Sequence, residues 1–112
     1  MFVHKYFTLL FLPLFLISTE SHAAIYKGQS IFIKKCMPCH KPGETFVAKY
    51  KKSEWEKFLK SKAKPLATLH LKDQKAKKSW DYFKSKKYMK ESKHLRDFLF
   101  EYAKDSGKIP LF

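Results

Sequence analysis

From Tyr6 to Ile17 the chain is apolar apart from Thr8 and Pro13, and beyond residue 23 the apolar residues stand singly or in short groups on a lysine-rich background. Residues 24–35 carry Ile25, Ile31, Phe32 and Ile33 with no proline, which predicts a short helix running directly into a pair of cysteines. Residues 41–50 hold Pro42, Gly43 and a single apolar pair, Phe46-Val47, and read as a loop. A second helix is expected from Ser53, with Glu56 three residues on to return a hydrogen bond to the cap and with Trp55, Phe58 and Leu59 on one face. Pro65 ends or restarts the chain, and Leu66, Leu69 and Leu71 surround His70 in a locally apolar patch. Between residues 73 and 87, Ala76, Trp80 and Phe83 recur at helical spacing opposite a face of lysines. The last helix has Ser92 as its expected cap, a stripe of Leu95, Phe98, Leu99, Tyr102 and Ala103, and a stop signal in Gly107 and Pro110. With no convincing strand alternation and no internal repeat, the expected fold class is all-α.

The N-terminal apolar run is too short for a bilayer span of about 20 residues, follows a cation at Lys5 and leads to Ser21-His22-Ala23. This predicts a secretory signal over residues 1–23, cleaved after Ala23, and one domain over residues 24–112 with no membrane span after cleavage. An uncleaved anchor is the alternative; either way the domain faces the outside of the inner membrane, which makes it periplasmic. Removing 23 of 112 residues leaves 89, few enough that a cross-link, metal or cofactor is expected to support the core. The formal net charge is +14, and the signal removes one cation (Lys5) and one acid (Glu20), so processing does not change it. Such a field favours acidic partners. Nucleic acid, the commonest partner of such charge, is seldom met by an exported protein.

The two cysteines lie in Cys36-Met37-Pro38-Cys39-His40, which fits the C-x-x-C-H haem attachment pattern. Two intervening residues place both sulfurs near one porphyrin edge, where the thiols add across two vinyl groups, and carry the next residue, His40, to the iron as proximal ligand. A reactive dithiol would use the same spacing but requires βαβ strands, which are absent. A structural zinc site with His70 and His94 lacks a second ligand pair at the usual spacing. A single disulfide in a basic helical domain is the plain alternative.

On these residues the chain resembles the monohaem class I cytochromes c. Gly28 and Phe32 are similar to that family's glycine and aromatic positions on the N-terminal helix, and Leu95 and Phe98 to their partners on the closing helix. The resemblance implies a small bundle of three to five helices around one covalent haem c. It also implies a methionine as sixth iron ligand, for which Met89, expected just before the closing helix, is the candidate. His70, within its leucines, is the rival, and His94 falls where the two helices should cross. The family's proline acceptor for the proximal imidazole has only Pro42 nearby. Trp55 and Trp80 are candidates for packing on the haem or binding a propionate, or are core.

An iron held on both faces makes a one-electron carrier, not an enzyme, with lysines steering it to acidic redox partners, respiratory donor and acceptor complexes in the resemblance. The alternative is a haem sensor of small ligands with an open or weakly held sixth position.

Overall fold

A computed structural model describes residues 20–112. The expected export signal lies outside the described residues, except that its cleavage point at Ala23 falls in the first turn of the first helix. The elements are α1 (Glu20–Lys35), α2 (Gly43–Val47), α3 (Lys52–Leu71), a 3₁₀ segment Gln74–Ser79, α4 (Trp80–Lys84), α5 (Lys86–Glu101) and a closing 3₁₀ turn Lys104–Ser106. The architecture is all-α, with no strand among the described residues. No helix among the described residues is long and apolar enough to cross a membrane.

The principal packing is α1 across α5. At the crossing a Cβ on Gly28 would stand 2.0 Å from the His94 carbonyl oxygen and 2.6 Å from Phe98 Cβ, so only a residue without one lets the backbones meet. One turn on, Phe32 is fully buried against Phe98 with ring centroids 5.3 Å apart. Burying a ring of that size contributes about 1.5–3 kcal/mol. Phe112 folds back to stack on Phe32 at 5.8 Å, with its neighbour Leu111 accepting a hydrogen bond from Gln29 Nε2 at 2.8 Å. The rest of the core is Val47, Trp55, Leu59, Ala63, Ala67, Tyr88, Leu95, Leu99 and Ala103.

Several boundaries differ from the sequence expectation, each for a local reason. The loop after the cysteines contains α2, started by the Phe46 amide donating to the Pro42 carbonyl at 3.0 Å and held by burial of Gly43 and Val47. The second helix begins at Lys52, not Ser53: Glu54 accepts from the Lys51 amide at 3.1 Å, and Asp105 reaches from the far end of the chain to accept from the Lys52 amide at 2.9 Å. That helix breaks over Lys60–Ala63, where Ser61, Lys62 and Ala63 adopt φ of 54–57°. Left-handed backbone costs about 1–2 kcal/mol for each residue with a Cβ. In partial return, the buried Ala63 carbonyl accepts from the buried Tyr88 hydroxyl at 2.5 Å. Pro65 then sits in the first turn of the restarted segment, where its missing N–H has no intrahelical bond to lose.

The helix expected over residues 73–87 is instead a 3₁₀ segment and a short α-helix. Asp73 Oδ1 accepts from the Lys75 amide, while the Ser79 and Ser85 hydroxyls donate to the carbonyls three residues earlier, diverting each turn. Ser85, not Ser92, caps the last helix, accepting from the Tyr88 amide at 3.2 Å; Ser92 is buried in mid-helix and donates to the Met89 carbonyl at 2.9 Å.

Gly28→Ala is expected to destabilise the protein by about 2 kcal/mol or more, because overpacking against backbone outweighs the helix propensity gained. A denaturant titration with an unchanged midpoint would show that the helices do not meet at this point.

Candidate functional site

At the C-terminus of α1 the chain keeps turning: the Cys36 amide donates to the Phe32 carbonyl at 2.8 Å and the His40 amide to the Cys36 carbonyl at 2.9 Å. This single turn sets Cys36, Cys39 and His40 on the rim of one cavity of about 280 Å³. The walls are mostly apolar, from Phe32, Phe46, Leu66, Phe83, Leu95 and Leu99, and Lys35, Asp73, Lys75 and Ser79 stand around them. The volume is at the bottom of the range for ligand pockets, about 300–1,000 Å³. A group as large as a tetrapyrrole would therefore project from the mouth.

His70 lies in the same cavity, its ring centroid 6.2 Å from that of His40 and its plane at 88° to it. Each imidazole is backed by an aromatic ring: His40 stacks on Phe46 at 4.0 Å and His70 on Phe83 at 4.2 Å. His70 Nδ1 is 2.8 Å from the Leu66 carbonyl one turn earlier. A carbonyl only accepts, so Nδ1 carries the proton and Nε2 keeps its lone pair free, the tautomer a metal ligand needs. Trp80 Nε1 donates to the His70 carbonyl at 2.7 Å and ties the end of the helix to the next element. An imidazole bonds a metal at about 2 Å and its nitrogen lies about 1 Å from the ring centre, so two rings on opposite sides of one ion stand about 6 Å apart. The donor set and this spacing fit a haem held by two thiols and two imidazoles.

Burial, the neighbouring His70 and then Lys49 all hold the His40 imidazole below the usual histidine range, which favours the neutral form that can ligate. Burial pushes the Cys36 thiol up to about 12, with Cys39 adding to the shift. Both thiols are free, and Cys39 is exposed. A thiol raised in this way is the opposite of an activated dithiol nucleophile. Among the described residues no group of three or more His, Cys, Asp and Glu side chains is arranged to hold a metal ion, so the four-ligand zinc arrangement is not assembled.

The other expected positions are not brought together. Met89 lies within the first turn of α5, not before it, is 51% exposed and lines a different groove beside Lys90 and Lys93. The helical stripe Tyr88, Ser92, Leu95 and Leu99 turns inward, which directs its neighbour Met89 off the buried face. His94 borders that second groove as well, its carbonyl packed close to Gly28 at the crossing. Of the leucines around His70 only Leu66 lines the cavity, and Leu69 is exposed. The indole N–H of Trp55 donates to Val47 at 3.0 Å and that of Trp80 to His70, so both are already engaged, although the Trp55 ring lines the cavity. The Pro42 carbonyl is taken by the Phe46 amide, and the Phe46 stack holds the His40 ring.

Phe46, Phe83 and the Leu66 carbonyl, which position the two imidazoles, were not singled out for that role by the sequence. The only available signal was local: His70 and Leu66 are four apart, and this spacing aligns a side chain with a carbonyl once the segment is helical.

No family model, no curated protein and no solved structure matches the chain.

In the thiol form, Cys39 is expected to react with a maleimide at pH 8 at least about tenfold faster than Cys36, whose raised pKa leaves almost no thiolate. Peptide mass mapping of a time course measures this, and equal rates would mean that Cys36 is not buried.

Proposed function

We propose that the chain is an exported electron carrier holding one covalent haem c between His40 and His70. The observation that carries this reading is the apposition of two aromatic-backed imidazoles across an apolar cavity whose rim is the Cys36-x-x-Cys39 turn. A haem bound there would supply a one-electron couple. Cys36 and Cys39 would hold it through two thioethers, each S–H adding across one vinyl group. His40 and His70 would supply nitrogen donors to its iron, and the Leu66 carbonyl holds the His70 tautomer that ligation needs. The apolar wall of Phe32, Phe46, Leu66, Phe83, Leu95 and Leu99 would keep water away from the bound group.

Were both imidazoles to ligate the iron, no position would be left for a substrate, which favours a carrier over a catalyst or small-ligand sensor. A second imidazole in place of the methionine suggested by the resemblance points to a lower reduction potential, since a thioether ligand raises it. Lysines at the rim, Lys35 and Lys75, and the +14 charge suit acidic redox partners. The short N-terminal apolar run and the need for covalent haem attachment place the carrier in the periplasm on this reading.

Expressed with a cytochrome maturation system, the mature protein is expected to gain the intact mass of one haem, and a Cys36→Ser/Cys39→Ser variant to gain none covalently. The reduced wild type is expected not to take up carbon monoxide. Absence of added mass would overturn the haem reading. Ready carbon monoxide binding would instead favour the sensor with its weakly held sixth position.

A further inference from the structure

A second concavity, of about 1020 Å³, lies between the broken segment Lys60–Ala63 and the outward side of α5. Its walls carry Lys60, Lys62, Lys86, Lys90 and Lys93, and its floor is formed by Leu59, Met89 and Phe100. Among the described residues none of these five lysines is in an ion pair: the pairs present are Lys87–Glu91, Arg96–Asp97 and Lys108–Glu101. Glu56 is the one carboxylate on the groove's lining. Five uncompensated cations around one hollow repel one another and concentrate a positive potential between low-dielectric walls. Two of them stand on or beside a left-handed turn built from residues with side chains, and strain of this kind is held where surrounding structure or a ligand requires it.

We infer that this groove docks an acidic polypeptide segment of a partner protein, with carboxylates paired to the five lysines and apolar side chains resting on Met89 and the edge of Phe100. Met89 is the half-exposed element of the floor, and a flexible thioether adapts to varied apolar partners. A concave hollow suits a protruding chain better than a flat headgroup surface. Single-stranded nucleic acid sites pair their cations with open aromatic faces. Here the floor is aliphatic and thioether apart from the half-buried Phe100. The groove and the cysteine cavity are lined by separate sets of residues, so a segment seated here leaves the cavity mouth uncovered, and the inference does not rest on the haem reading.

Two triple variants of the mature chain with equal net charge test the inference: Lys62→Gln/Lys90→Gln/Lys93→Gln in the groove, and Lys34→Gln/Lys41→Gln/Lys77→Gln elsewhere on the exposed surface. Binding of a short fluorescein-labelled peptide of alternating glutamate and leucine is followed by anisotropy at low salt. The groove variant is expected to bind about tenfold more weakly and the control within about twofold of wild type. Equal losses in the two variants would mean that the whole-molecule field, not the groove, attracts the peptide, and would overturn the inference. So would phosphatidylglycerol vesicles or oligodeoxythymidine binding in a groove-dependent manner while the peptide does not.

Discussion

The contact at Gly28 sets the geometry of everything downstream. Because α1 reaches the backbone of α5 there, Phe32 seats against Phe98 one turn later, and the cysteine turn leaves α1 directly above the inward face of α5. Leu95 and Leu99 then become cavity wall. A side chain at position 28 would hold the helices apart and move the Cys36–His40 turn away from the segment that presents His70.

The second constraint is the break at Lys60–Ala63. A continuous helix through Lys52–Leu71 would carry residues 64–71 along the axis of the first half; the left-handed turn redirects them so that Leu66 and His70 face the cavity. Tyr88, on the buried stripe of α5, donates to the Ala63 carbonyl and couples that turn to the same helix that meets Gly28. One helix therefore references both histidines. The strain of the turn also presents Lys60 and Lys62 to the basic groove, so one local distortion shapes two hollows.

The Cys36–His40 turn was legible in the sequence as five consecutive residues, and its Cys36, Cys39 and His40 line one cavity. So was the crossing, through the resemblance of Gly28, Phe32, Leu95 and Phe98 to the positions where two helices meet in the class I cytochromes c. The break at residues 60–63 was hidden: it contains neither glycine nor proline and exists through a tertiary bond to Tyr88. The start of α3 rests on the local Lys51–Glu54 cap and also on Asp105, more than fifty residues away, which no local pattern reveals. The choice between Met89 and His70 was open in sequence because both were judged by neighbours along the chain. Helical geometry separates them: Met89 falls one residue off the buried stripe of α5, whereas His70 is one turn beyond Leu66 on a segment aimed at the cavity.

In the haem reading proposed above, the apposed imidazoles are the iron ligands, and this can be read directly from the oxidised haem-loaded protein. Near-infrared magnetic circular dichroism of wild type, His70→Ala and Met89→Ala gives the identity of both ligands. Ligation by both imidazoles predicts a bis-imidazole low-spin signature in wild type, unchanged in Met89→Ala and lost in His70→Ala. A sulfur-to-iron charge-transfer band in wild type that disappears only in Met89→Ala would contradict it.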